Sequence, residues 1–239
     1  MFWKMKNFTG KLIAIEGIDG SGKATQAEIL LNRLKKEGWP VALADFPQYG
    51  KKSAGMIEEY LSGKYGSPEE VTPNQASIFY ACDRYDASFK IRKWLSEGKV
   101  VIADRYLGSN IGHQGGKIKN KQQRKKFIKW LYDLEYGIFK IPKPDISFIL
   151  KTDPLLGQEM SRKAGKKKDR KKKAYLKEKR DIHEGSLDHL ISAQEAYLEA
   201  AREFPQDFVV IESIDGGKLL PPEEISEKIW AIIERIIVI

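Results

Sequence analysis

The 239-residue sequence predicts an α/β fold, a parallel sheet with helices on both faces. Three observations predict it. Short apolar runs recur along the chain, most of them continuous rather than alternating, as strands buried on both faces require. Longer stretches with helical spacing lie between them. The first apolar run leads through a glycine-rich turn directly into the first helical stretch.

The first strand is predicted at Leu12–Glu16. The turn after it, Gly17-Ile-Asp19-Gly20-Ser21-Gly22-Lys23, has the Gly-x4-Gly-Lys spacing of a phosphate-binding loop. Glycines let the backbone curl so that several N–H groups face one anion. The helix N-terminus adds a favourable dipole, and Lys23 adds a full charge. The pattern asks next for Ser or Thr, whose hydroxyl holds Mg²⁺, and the chain has Ala24 followed by Thr25. A helix over Thr25–Glu37 is stopped by Gly38, and a second strand, Val41–Asp45, leads into Phe46-Pro-Gln-Tyr49.

A long helix over Asn74–Glu97 carries Phe79-Tyr-Ala-Cys-Asp-Arg84. Phe79 and Asp83 share a face, with Arg84 about one residue further round. A ring beside an arginine suits a nucleobase; a core phenylalanine with a surface arginine is the plainer alternative. The third strand, Val100–Asp104, ends in Asp104-Arg105-Tyr106. An aspartate here can hold Mg²⁺ through water and an arginine can clamp a phosphate, or the pair is a helix cap with a surface arginine. The glycine-rich stretch Gly108 to Gly116 reads as a loop with His113 exposed on it. A helix over Lys121–Tyr136, a strand at Asp145–Leu150, a helix over Asp181–Glu203, a strand at Phe208–Ile211 and a helix over Pro222–Ile236 complete the order. Ligands of such sheets bind beyond the carboxyl ends of the strands, where the Gly17 loop, Asp45–Tyr49 and Asp104–Tyr106 all fall.

The formal net charge is +9, but it is local. Residues 162–180 hold 12 Lys/Arg and 2 Asp/Glu, leaving 30 basic and 31 acidic residues elsewhere. Such a tract is a solvated loop, a nucleic-acid-binding segment or a lid that brings cations to a transferring phosphoryl group. No aromatic residue interrupts it before Tyr175, which weakens a single-strand platform, and its place between a strand and a long helix suits a lid. The expectation is one domain over 1–239 with a lid at about 162–180. The single cysteine, Cys82, excludes an internal disulfide and is compatible with a reducing cytoplasm. No apolar run approaches the ~18 residues of a membrane span. The histidines and the cysteine lack metal-ligand spacing, and no Gly-x-Ser-x-Gly elbow occurs.

Taken in order, Glu16-Gly-Ile-Asp-Gly-Ser-Gly-Lys-Ala-Thr-Gln26, Phe46-Pro-Gln-Tyr-Gly50, Asp83-Arg84, Asp104-Arg-Tyr106 with Ser109-Asn110, and a basic tract before Asp181-Ile-His-Glu184 resemble the thymidylate kinase family. The resemblance covers about Lys11 to Ile236. It implies a five-stranded P-loop nucleoside monophosphate kinase fold. It also implies transfer of the γ-phosphoryl of ATP to dTMP, giving dTDP for dTTP synthesis, with Mg²⁺ as cofactor and a homodimeric, cytoplasmic enzyme. ATP would lie on Gly17, Asp19, Gly20, Ser21, Gly22, Lys23, Ala24 and Thr25. Lys23, Asp104, Arg105 and a lid cation, taken as Arg170, would be catalytic, with Asp104 anchoring the metal. Phe79 would stack on thymine, Arg84 would meet its O4 edge and Asn110 would lie near its N3. Tyr49, Arg105 and Asp19 would lie by the acceptor phosphate, and Glu184 by the acceptor sugar or the metal. Members with a glycine at position 20 take their basic residues from the lid.

Four positions depart from the family pattern, one of them Ala24, which removes the usual Mg²⁺ hydroxyl. Gln48 replaces an arginine on the acceptor phosphate, and His113 and His183 replace tyrosines of the acceptor site. Gln48 and His113 keep open a kinase of another deoxynucleotide or of a deoxynucleoside. Ala24 and the lysine tract keep open a nucleic-acid-binding protein that has lost catalysis. Neither nucleic acid nor a membrane is the expected partner.

Overall fold

The computed structural model describes residues 9–68, 70–172 and 186–237, with side chains in the helix at 154–172 described as far as Lys163. Five parallel strands form one sheet in the order β2-β3-β1-β4-β5. They are β1 (Lys11–Gly17), β2 (Val41–Asp45), β3 (Val100–Asp104), β4 (Ile146–Lys151) and β5 (Phe208–Glu212), each within one residue of the strands expected. The helices are α1 (Lys23–Lys36), α2 (Gly55–Leu61), α3 (Pro73–Ser96), α4 (Leu107–His113), α5 (Lys121–Tyr132), α6 (Pro154–Lys172), α7 (Leu187–Glu203) and α8 (Pro222–Ile237). A short hairpin, β6 (Ile214–Asp215) and β7 (Lys218–Leu219), precedes α8.

Alternate residues of the central strands enter separate layers. Leu12, Ala14, Val101 and Ala103 pack with Ile91, Ile111, Phe127 and Tyr197 of α3, α4, α5 and α7. Ile13, Ile15, Val100 and Ile102 pack with Leu30 and Leu34 of α1 and with Ile225, Ile229 and Ile233 of α8. Burying both faces is what makes these strands continuously apolar.

Several expectations are corrected. Helix α1 begins at Lys23, two residues early, because the chain turns helical as soon as Gly22 leaves its left-handed conformation at φ 89°. Helices α2, α4 and α6 lie where none was expected. The supposed loop at Gly108–Gly116 is α4 and a 3-10 turn, with the glycines four residues apart on one helical face. A Cβ on Gly112 would lie 2.1 Å from the Tyr197 ring, and one on Gly116 would lie 2.9 Å from the backbone of α7. These glycines serve close helix packing rather than a turn. Helix α5 ends at Tyr132 and passes into a π-helical turn, Asp133–Ile138, instead of running on to Tyr136. Helix α7 starts at Leu187 behind the Ser186 cap; Asp181, His183 and Glu184 lie outside the described residues.

Candidate active site

The phosphate loop follows β1 as the sequence requires. Gly17, Gly20 and Gly22 all have positive φ, a region in which side chains are strained. Lys23 is buried and donates from Nζ to the Ile18 carbonyl at 2.7 Å. Its pKa is pushed down to about 8 by burial, to which Arg105 adds, against the opposing pull of Asp19, Asp104 and Glu16. A Cβ on Gly20 would lie 1.9 Å from the carbonyl oxygen of Gly157 in α6, so no side chain fits there beside that helix. Ser21 is buried, whereas Ala24 and Thr25 sit exposed in the first turn of α1.

Asp104 closes β3, level with Asp45 of β2 and with Ile15 of β1. Arg105 follows in a left-handed conformation, φ 69°, one of two non-glycine residues at positive φ among those described. Its backbone is clamped on both sides. Its N–H donates to the Ile15 carbonyl at 3.0 Å, and the N–H of Tyr106 donates to Glu16 at 2.8 Å. Glu16 is fully buried and also accepts from the Ser109 hydroxyl at 2.7 Å; burial pushes its carboxyl pKa up.

The Arg105 guanidinium bridges the loop and α4. It pairs with Asp19, and Nη1 lies 3.4 Å from Ser109 Oγ and 3.1 Å from His113 Nε2. A guanidinium only donates, so Nε2 of His113 accepts and the ring carries its proton on Nδ1. That nitrogen lies 3.1 Å from Nε2 of His189, and the two rings stack at 5.4 Å. His113 is therefore half-buried in a relay, not exposed on a loop. Burial pushes both histidines below their ordinary pKa, and for His113 the Arg105 charge adds to this against the pull of Asp19. Partial burial would raise the Asp19 carboxyl, but Arg105, His113 and Lys23 hold it well below the carboxylate range.

Asp19, Arg105, Ser109 and His113 form one end of a cavity of about 180 Å³. Phe46, Pro47 and Tyr49 close it from the loop after β2, Tyr80 and Arg84 from α3, Asn110 from α4 and Gln114 from just beyond the end of α4. Arg84 is 2% exposed and makes a two-pronged pair with Glu135, Nε and Nη2 each 2.6 Å from a carboxylate oxygen. Burial opposes the Arg84 charge, and the Glu135 carboxylate more than offsets it, moving the pKa upward. Asn110 donates from Nδ2 to the Ser77 carbonyl at 3.2 Å and lies 3.4 Å from Glu135. A larger hollow, about 490 Å³, lies on the far side of the Phe46–Tyr49 segment between β2 and α3 and holds no phosphate-loop residue.

The cavity thus brings together Asp19, Tyr49, Arg84, Arg105, Asn110 and His113 of the expected residues. Phe79 is not among its walls. Its ring packs against Tyr60 and Tyr65, with centroids 6.2 and 5.6 Å away, and Tyr80 lines the cavity instead. The reason is helical phase: Tyr80 and Arg84 are four residues apart and share a face, while Phe79 points about 100° away. That i, i+4 spacing was the available signal. Gln48 donates to Asp83 from its backbone N–H at 2.9 Å and from its side chain at 3.2 Å, which fastens the loop to α3. Arg170 lies in α6, where its side chain is outside the described residues, as are His183 and Glu184.

Comparison with known proteins gives this arrangement a family. Residues 15–218 match the family model for thymidylate kinase. A probable thymidylate kinase of Archaeoglobus fulgidus is 32% identical over 226 residues, spanning 93% of this chain and 94% of that protein. The thymidylate kinase of Mycobacterium tuberculosis is 34% identical over 152 residues, 63% of this chain and 70% of its own length. A solved structure of thymidylate kinase from Candida albicans superposes with a TM-score of 0.67 at 27% identity, covering 95% of this chain and 92% of that one. With residues 15–218 matching that family model, and with a phosphate loop and an arginine-lined cavity that meet at Asp19 and Arg105, the chain belongs to the thymidylate kinase family.

Proposed function

We propose that this enzyme transfers the γ-phosphoryl group of ATP to dTMP, giving dTDP. The observation that carries the reading is the meeting of two phosphate sites at Arg105, which pairs with Asp19 of the phosphate loop and lines the acceptor cavity. The attacking atom is a phosphate oxygen, ionised near neutral pH, so no strong general base is needed. Lys23 and Arg105 gather the two anionic substrates and hold them in line. A lid at about 162–180 would exclude water and supply further cations; it begins in α6, whose Gly157 lies against Gly20, and its remainder after Lys172 lies outside the described residues. An assay with ATP and a panel of dTMP, dUMP, dCMP, dGMP and UMP tests the reading; preference for a purine or a ribonucleotide would overturn it.

Mg²⁺ fits this site only as a loosely held ion. Ala24 offers no oxygen, and among the described residues no group of three or more Asp, Glu, His or Cys side chains could hold a metal. Mg²⁺ is commonly bound through one or two carboxylates, water and substrate phosphates, and Asp104 at the end of β3 suits that role. When bound, the ion neutralises phosphate charge. Asp104→Ala is then expected to cost far more rate than Ala24→Thr gains; a kinase indifferent to loss of Asp104 would sink the assignment.

The enzyme is proposed to be a cytoplasmic homodimer. No helix among the described residues is long and apolar enough to cross a membrane. Ile78, Tyr85 and Phe89 lie along one face of α3 with exposures of 41, 42 and 60%, a face suited to a second copy. Phe89→Glu should convert the dimer to a monomer in light scattering, and an unchanged mass would exclude this face.

A further inference from the structure

Glu135 has no place in the reaction described so far, yet it touches two residues that line the acceptor cavity. It is a charged residue with no exposure, whereas Asp133, two residues before it, faces water. The π-helical turn at Asp133–Ile138 puts it there. Phe139 N–H bonds the Leu134 carbonyl and Ile141 N–H the Glu135 carbonyl, both at 2.9 Å, so the chain is wound more widely here than in α5. π-turns are rare and concentrate at functional sites.

The Glu135 carboxylate accepts from Nε and Nη2 of Arg84, which leaves Nη1 as the guanidinium nitrogen outside the pair. It also accepts from Nδ2 of Asn110, which bonds Ser77 as well. With its nitrogen held in the wall, Asn110 keeps Oδ1 to offer. The neighbouring Gln114, 1% exposed, has a buried Oε1 with no donor among the described groups. The cavity therefore offers donors at Arg84 and acceptors at the two amides. A pyrimidine with a 4-oxo group and an N3–H matches that order. One with a 4-amino group and a bare N3 presents the reverse and leaves buried groups facing like groups.

We propose that Glu135 is a specificity-determining positioning residue, which fixes Arg84 as donor and Asn110 as acceptor and so selects a 4-oxo over a 4-amino pyrimidine. The inference rests on the dTMP reading. The test is the ratio of kcat/KM for dTMP to that for dCMP, in wild type and in Glu135→Gln. The amide sets an N–H₂ group against the Arg84 donors or against Asn110. The ratio should fall at least tenfold, through a raised KM for dTMP, with the KM for ATP unchanged. Glu135→Asp keeps the charge, withdraws it by one methylene and should give a smaller fall; it decides the matter if the glutamine variant does not fold. A wild-type ratio in a folded variant would overturn the role of Glu135. A wild type that takes dCMP as readily as dTMP would instead remove the dTMP reading, before any variant is made.

Discussion

Two arginines line the acceptor cavity, and they are held in different ways. Arg84 and Glu135 are 2 and 0% exposed in their side chains, and two short bonds join them. Arg105 and Asp19 are 22 and 44% exposed, and the guanidinium shares itself among Asp19, Ser109 and His113. A buried pair cannot exchange its partner for water, so Arg84 presents one fixed edge. A part-exposed pair is worth little to folding, so Arg105 can give up Asp19 for a phosphate at small cost. On the proposed function, rigidity suits Arg84 to reading a base, and replaceability suits Arg105 to meeting an incoming phosphate.

The contrast breaks first, and most visibly, at the arginines themselves. Arg105→Met should lower kcat/KM for dTMP by about 10³-fold, the scale for removing a donor aimed at transition-state charge. It should hardly move the denaturation midpoint, because a pair this exposed is worth about 0–1 kcal/mol. Arg84→Met should also weaken dTMP binding, but unlike Arg105→Met it should destabilise the fold by about 3–5 kcal/mol, since it strands the Glu135 carboxylate in the interior. Urea titrations beside initial rates compare the two. Equal destabilisation by both substitutions would erase the distinction.

A smaller effect sharpens the donor side. Lys23 has a pKa near 8 in the free enzyme because it is buried beside Arg105. ATP phosphates favour its charged form and should bring the pKa back up. At pH 8 binding should therefore take up roughly half a proton. Calorimetry in buffers of different ionisation enthalpy measures this, and proton release at that pH would contradict the burial argument.

The donor side was legible in the sequence because its parts are contiguous. Glycines at fixed spacing, a lysine and a preceding apolar strand can be read without knowing what packs against them. The five strands were legible for a related reason, since burial on both faces leaves unbroken apolar runs. The acceptor side depends on phase and on distant partners. Phe79 and Tyr80 differ by one position, and only the face shared with Arg84 separates them. Glu135 lies 51 residues from Arg84, and a π-turn that no local residue announces carries it inward. Gly112 and Gly116 read as loop residues because their partner, α7, is some 80 residues away along the chain. The lysine run concealed the helix of α6 by composition.

The smallest expected effect concerns what holds Arg105 from behind. His113 and His189 are each pushed below the ordinary histidine pKa of 6.5, chiefly by burial. The folded protein then binds fewer protons than the unfolded chain between the folded values and 6.5. Their contribution to stability is complete above that pH and is lost as the pH falls below it. Asp19 acts in a lower window, where its depressed carboxyl is protonated, and Glu16 acts with the opposite sign because burial raises it. Subtraction isolates the histidines. His113→Gln keeps an acceptor for Arg105 but cannot take a proton, so its melting temperature should fall less than that of wild type between pH 7 and pH 5. Parallel curves would mean that the relay is not neutral in the folded state. Arg105 would then be held by Asp19 and Ser109 alone, and the difference between the two arginines would rest on exposure without help from the histidines.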